Sequence, residues 1–497
     1  MVALSLSLLG LGLLSSVATA ACPDRVRKSW DALSTPEKTL YKSAIQTAMD
    51  AGAYERFLSM HREEMSNMEA HNTCVFMYWH RQFLVGFENM LRSLSPEYAC
   101  VTLPYFDYVN HNAKYTTRQC KSIAECSPIL GQLGSFASGS RMTVKIGDYD
   151  IYGRCDATPP LDHYCQHPAT TPTAKKACAK CVPRGDYTRL QYPTELGFTG
   201  VKDDLFSGPD VASVNSAIEA NPHNNVHNVL QGAMGNPFVS PSDPIFYSHH
   251  TTIDALNTIF YKCRAKGVVK ASERATSRLS FEGCVVNGAP ITANSSITMN
   301  VIHANGTSIN VRHPGSGVSQ YFRDVPTSYY QLTDNTDLGT NSYSYQFAGV
   351  MADLYTNCSL AGGLTTKTNL RQLADEIDVP MTPRDANGDL QNFVTAKHDT
   401  AVDAYMSWRT DLVAAGRDAL FSDDKIEAEI YKVVVMYYSK CLPGGVVDLK
   451  PQFKSLWRVQ TTSKQVQVLN AILDGSAPIE LPHYADINDK HFGCRGD

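Results

Sequence analysis

Fifteen histidines are spread over 497 residues, and six of them fall into two windows whose spacing suits metal ligation. His61, His71 and His80 form the first window; His223, His227 and His250 form the second. His223 and His227 are four apart, so on a helix they project from one face, about one turn from each other. The turn-rich stretch Gly235 to Pro244 can fold the following helix, with His250, back alongside. All-imidazole sets suit zinc, copper, iron or nickel, whereas carboxylate sets suit magnesium or calcium. His223-Asn-Asn-Val-His227 has the outline of a zinc-protease helix, but Asn224 stands where that chemistry needs a glutamate base. A facial iron triad would need a carboxylate ligand within the cluster. A lone histidine is most often a satisfied core residue, and for His61 alone that would be the simpler reading; the six together read as ligands of metal ions.

Helices must carry these rings. The pattern is helical over 34–68, where Ser34-x-x-Glu37 is a capping-box start and Phe57, His61, Met65 and Met68 share a face. A second helix is expected over 79–94, a third around His223 and His227, and a fourth over 246–261. Residues 110–210 read mostly as loop. Between 286 and 346 the chain reads as short strands, notably 297–302 and 308–311, separated by Asn-Gly and Pro-Gly turns. Helical pattern returns over 400–412 and 425–438. Asp385-Ala-Asn-Gly-Asp389 has its glycine two positions early for a calcium loop and is read as a turn.

Lysine plus arginine is 44 against 49 aspartate plus glutamate, a net charge of −5 that argues against a grip on nucleic acid. Hydrophobic residues at 43% and charged residues at 19% exclude a mainly disordered chain. After residue 20 no apolar run is long enough to span a membrane. Residues 1–20 carry no charged side chain, have an apolar stretch and end in Ala18-Thr19-Ala20, the pattern of a secretory signal peptide. Fourteen cysteines in an exported chain are read as disulfides. Cys178-x-x-Cys181 lacks the second pair that a zinc site needs. Asn294-Ser-Ser, Asn305-Gly-Thr and Asn357-Cys-Ser fit glycosylation sites, in keeping with a secreted, extracellular protein. Arg495-Gly-Asp497 is a three-residue match of the kind chance supplies.

The flanks of the histidines are more specific. His71-x4-Phe76-Met-Tyr-Trp79-His80-Arg81-x2-Leu84-x3-Glu88 resembles the copper A motif of tyrosinases and molluscan haemocyanins. Asp243-Pro-Ile-Phe246-Tyr-x2-His250-x3-Asp254 resembles their copper B motif at each defining position. Leu103-Pro-Tyr-Phe-Asp-Tyr108 is similar to the segment that follows copper A, and Asp337-Leu-Gly with Tyr343-x-Tyr345 to the tyrosine motif that closes the catalytic domain.

This resemblance to the tyrosinase and polyphenol oxidase family implies a mainly α fold, an antiparallel four-helix bundle around two copper ions of type 3, with disulfide-stapled loops and a small β-rich segment. It implies a catalytic domain over 21–347 and, over 348–497, a helical C-terminal extension of the kind that in several members shields the site until proteolysis. Leu360-Ala-Gly-Gly363 would suit a cleavable link or a simple turn. His61, His71 and His80 would hold one copper ion and His223, His227 and His250 the other, with O2 as co-substrate. The motif gives His249 a supporting place, and Arg81 and Asp254 would orient the rings and set their tautomers or, alternatively, close a surface ion pair. The family often carries a thioether from a cysteine two residues before the middle histidine. Here Glu69 stands there, and Cys74, three residues after His71, is open to a disulfide, a free thiol or such a link. Cys165-x-His167 has that local spacing outside both motifs. Glu219 and Asn224 match the pair that holds a water accepting the phenol proton, with a helix-start glutamate and a turn asparagine as the bland alternative. The implied reaction is oxidation of small phenols such as tyrosine and catechols to o-quinones that polymerise as pigment. Catechol oxidation alone and oxygen carriage are the alternatives.

Overall fold

A computed structural model describes residues 22–166, 178–286, 288–303, 305–358, 380–396 and 399–497. The segment read as a signal peptide, the Leu360-Ala-Gly-Gly363 link and His167 lie outside them. The fold is mainly helical, and five of the six histidines ride on four helical segments: Ala53–Arg62, Phe76–Ser93, Asn224–Leu230 with the turn before it, and Ile245–Arg264. The Phe76–Ser93 and Ile245–Arg264 helices are buried along nearly their whole length, so each is apolar well beyond one stripe.

The expected helix over 34–68 is three helices, Thr35–Asp50, Ala53–Arg62 and Glu64–Ala70. The capping box at Ser34 and Glu37 starts the first. Gly52, with φ of 68°, breaks it, because left-handed backbone cannot continue a right-handed helix. Glu63 breaks the next: its carboxylate accepts from Ser66 N and Oγ at 2.9 and 2.7 Å and caps the third helix. The shared face therefore fails past His61. Phe57 and His61 are buried, whereas Met65 is 48% exposed.

The Phe76–Ser93 helix starts three residues before the expected position. Residues 110–210 are more ordered than a loop reading allows. They hold helices Tyr108–Thr116 and Phe198–Phe206 and an antiparallel sheet of Arg141–Ile146, Tyr149–Asp156 and Val182–Arg184. The strands near 300 are present as the pair Asn300–Ile302 and Ser308–Asn310, and Asp385 to Asp389 closes a turn with Gly388 at φ of 85°.

All fourteen cysteines pair in seven disulfides. Cys178 pairs with Cys165 and Cys181 with Cys155, which removes both the zinc reading and any link from Cys165 to His167. Cys74 pairs with Cys284.

A buried ionic network locks the two long helices together. Asp254 accepts from Arg81 Nε at 2.5 Å, Arg27 Nη1 at 3.0 Å, Tyr343 OH at 2.6 Å and Tyr345 OH at 2.5 Å. Glu88 accepts from Arg27 Nε at 3.0 Å and from Leu103 N at 2.9 Å. Phe106 N donates to Ser248 O at 3.0 Å, which lays the 103–108 segment along the last long helix. The motifs flanking the histidines are thus largely the fastenings of the bundle.

Helices Thr400–Asp418, Asp423–Cys441, Lys464–Leu473 and Tyr484–Phe492 follow. They dock through contacts such as Tyr438 OH to Asn112 Oδ1 at 2.8 Å and the Lys202–Glu427 ion pair at 3.1 Å. Phe393–Val394 adds a parallel strand to Ser344–Phe347.

Candidate metal centre

His61 sits in the last turn of its helix and His80 in the second turn of the Phe76–Ser93 helix. His71 lies between them in extended backbone, at φ of −129°, just after the Glu64–Ala70 helix. The loop that presents it is held from three sides. Asn72 is left-handed at φ of 56°, a conformation asparagine tolerates. Its N–H donates to both oxygens of Glu219, at 2.7 and 2.9 Å, and Cys74 is bonded to Cys284. Glu69, at the position of the absent thioether cysteine, accepts from Thr298 N at 2.8 Å and from the Tyr329 hydroxyl.

His223 ends a wide π-turn, Glu219–His223, that contains Pro222, and His227 follows on Asn224–Leu230. Proline offers no N–H to a regular helical ladder, so the turn opens there. Even so, the two rings meet edge to face with centroids 4.6 Å apart.

Within each cluster the ligand atoms lie within 4.8 Å of one another: His61, His71 and His80 in one, and His223, His227, His249 and His250 in the other. The clusters meet face to face, with the His80 and His250 rings stacked at 4.1 Å and 18°. His249, read as a supporting residue, is drawn into the second group. Its ring stacks on His223 at 5.4 Å and reaches Tyr108 at 5.9 Å.

Backbone carbonyls set the tautomers. Nδ1 of His71, His80 and His227 contacts the carbonyl oxygens of Asn67, Phe76 and Met234 at 3.1, 2.9 and 2.7 Å. His223 Nδ1 contacts Asn224 Oδ1 at 3.1 Å. With Nδ1–H donating, each Nε2 keeps a lone pair, and all four Nε2 atoms are buried without a protein partner. This corrects the expectation for Arg81 and Asp254. They touch no ring and are no surface pair; their charges are spent on the buried network between helices.

Burial holds the imidazoles neutral: His71 is held down to about 4 and His227 to about 3. Burial, together with neighbouring rings, keeps His61, His80, His223 and His250 well below the usual histidine range. Neutral imidazoles with inward lone pairs fit soft or borderline divalent metals and disfavour magnesium or calcium. Glu219 is also buried, and desolvation pushes its carboxyl up to about 8 against the opposing Asn72 hydrogen bond.

One residue escaped the sequence reading altogether. Trp457 ends a short helix, Pro451–Trp457, and is 4% exposed. Its ring lies 4.5 Å from His227, 5.5 Å from His223 and 5.6 Å from His71, and its Nε1 donates to Gly235 O at 2.9 Å. No periodicity marks it, since its partners are over 200 residues away in the chain.

Comparison with known proteins agrees with this chemistry. The common central domain of tyrosinase matches residues 51–262, which contain all six histidines but not Trp457. A tyrosinase of Streptomyces antibioticus is 27% identical over 241 residues, covering 46% of this chain and 81% of that protein. A tyrosinase of Streptomyces lincolnensis is 29% identical over 255 residues, covering 46% and 80%. Among solved structures, a mutant polyphenol oxidase from Thermothelomyces thermophila aligns with a TM-score of 0.40 at 18% identity, covering 65% of this chain and 88% of that one. Residues 51–262 thus match the common central domain of tyrosinase, and both histidine clusters lie inside that region.

Proposed function

We propose that the protein is a copper-dependent oxidase that uses O2 to convert monophenols and o-diphenols to o-quinones, which polymerise as pigment. His61, His71 and His80 hold one copper ion, and His223, His227 and His250 hold the other. The observation that carries this reading is the meeting of two buried, neutral histidine clusters through the stacked His80 and His250 rings. That contact also favours His250 over His249, whose ring packs on His223, His227 and Tyr108. Two bound copper ions would supply the two electrons that O2 takes up in such a reaction.

The remaining steps belong to the chain. Aromatic packing around the site and its burial exclude bulk water, and the rings beside Trp457 offer a flat face to a phenol. Glu219 and Asn224 are our choice for handling the phenol proton. A carboxyl held at about 8 lies between ordinary carboxylates and phenols with pKa about 10, the range in which a base works near neutral pH. A second reading, catechol oxidation without monophenol hydroxylation, is favoured by one detail: both Glu219 oxygens already accept the Asn72 N–H.

Residues 348–497 are read as the shield of a latent form. Trp457, packed against three of the histidines, supports it. Export is also proposed, on the seven disulfides and the exposed Asn294 and Asn305 sequons.

Elemental analysis should find two coppers per chain, and purified enzyme should oxidise catechol and hydroxylate tyramine. Glu219→Gln should cut tyramine turnover about a hundredfold, the scale of general-base catalysis, with a much smaller loss on catechol. Fewer than two coppers would sink the reading. Equal losses on both substrates would remove Glu219 from the proton step.

A further inference from the structure

Trp457 does more than fill space beside the histidines. Its indole N–H donates to the Gly235 carbonyl at 2.9 Å, and among the described residues that is the only protein donor this oxygen has. Gly235 follows the His227 segment and belongs to the histidine-bearing part of the chain, so the acceptor stays in place when Trp457 is absent. The occupied space is that of a flat bicyclic ring, walled by His227 at a 37° tilt and by the edges of His71 and His223. Phe453, stacked on Trp457 at 5.1 Å, covers the outer face and comes from the same short helix. Leu449, Phe453 and Trp457 form a hydrophobic group separate from the main core, so this helix can leave without opening that core.

We propose that the Gly235 carbonyl is a specificity-determining acceptor, and that the site prefers phenols whose ring system carries an N–H donor, hydroxyindoles foremost. The inference rests on the phenol-oxidase reading and narrows its substrate class. A buried ring without a donor leaves the carbonyl unpaired, and an oxygen heterocycle sets lone pair against lone pair. A site built to pair a polar group rejects an analogue lacking it far more strongly than it rejects a change of size.

The test uses the full chain carrying Trp457→Gly, in which the indole-shaped space is vacated. Indole and benzofuran, isosteric apart from N–H against O, are titrated by thermal shift, a readout that needs no turnover. Indole should bind about tenfold tighter, the worth of one hydrogen bond made against one lost. Equal binding of the two overturns the proposal. If the glycine variant does not fold, Trp457→Ala vacates the same space while avoiding the helix penalty of glycine. Its kcat/KM for 5-hydroxyindole should exceed that for 5-hydroxybenzofuran about tenfold, and a ratio near one overturns the proposal. Catechol turnover by the same samples separates the two readings. Catechol oxidised without N–H preference defeats this inference alone, whereas catechol left untouched defeats the oxidase reading, with the binding titration still deciding this one.

Discussion

The histidine-bearing part of the chain and its C-terminal helices are held together by different forces. Six of the seven disulfides close within residues 22–358, and the seventh joins Cys441 to Cys494. Arg27, Arg81, Glu88 and Asp254 lie fully or almost fully buried in the first region. Cys263–Cys358 ties the start of the segment beyond 347 to the first region, but the helices from Thr400 onward reach it without a disulfide, through packing and hydrogen bonds such as Tyr438 to Asn112. The residue that touches the metal centre, Trp457, sits in a small hydrophobic group of its own. The histidine clusters are therefore positioned by covalent and ionic bonds inside one region, and Trp457 reaches them through non-covalent contact from the other.

That contrast can be broken at either end. The largest effect is expected from His80→Ala, which removes a ligand and the ring stacked on His250. Copper content should fall below two per chain and catechol turnover by more than about 100-fold, since losing even an outer partner of a metal ligand costs 10–100-fold. Unchanged copper and turnover would contradict the assignment.

Asp254→Ala comes next and tests the ionic fastening. It strands the Arg81 and Arg27 guanidiniums in the core, so denaturant unfolding should lose about 3–5 kcal/mol. Although burial pushes the Asp254 carboxyl up, Arg81 and Arg27 outweigh it and hold it below the usual carboxylate range. The sign follows: its contribution is present above the unfolded-state value near 4 and is lost as pH falls through the lower folded one. The variant should therefore show a weaker acid dependence of stability than the parent.

The smallest effect is on the cover. Trp457→Gly in the full chain should raise catechol turnover about tenfold while leaving the main unfolding transition near its parent value, because the group it leaves is not part of the main core. A large loss of stability without activation would mean that Trp457 is a structural residue only.

Much of the centre was legible because its signals are local. His223 and His227 share a face by helical spacing, and the residues around His80 and His250 are tied to those positions by the geometry of a single helix. The capping box at Ser34, the strands near 300 and the helices after 400 are likewise decided within a few residues. The same local logic failed where the chain turned against its pattern. The run over 34–68 reads as one helix because Phe57, His61 and Met65 keep period, but Gly52 and Glu63 each redirect the backbone. Residues 110–210 read as loop because strands built on cross-chain pairing, such as Tyr149–Asp156 between two others, carry little sequential signature.

The sequence by itself determined the two histidine windows and the helices around His80, His227 and His250, since those depend on residue chemistry and on spacing along one backbone. Only the tertiary structure decided the rest. It joined Cys74 to Cys284. It turned Arg81 and Asp254 away from the rings and into a buried ionic lock. It closed Glu219 onto Asn72 across 147 residues and brought Trp457 against His227 from the far end of the chain. These contacts link segments distant in sequence, and their energies come from burial and charge pairing that exist only once the chain has packed.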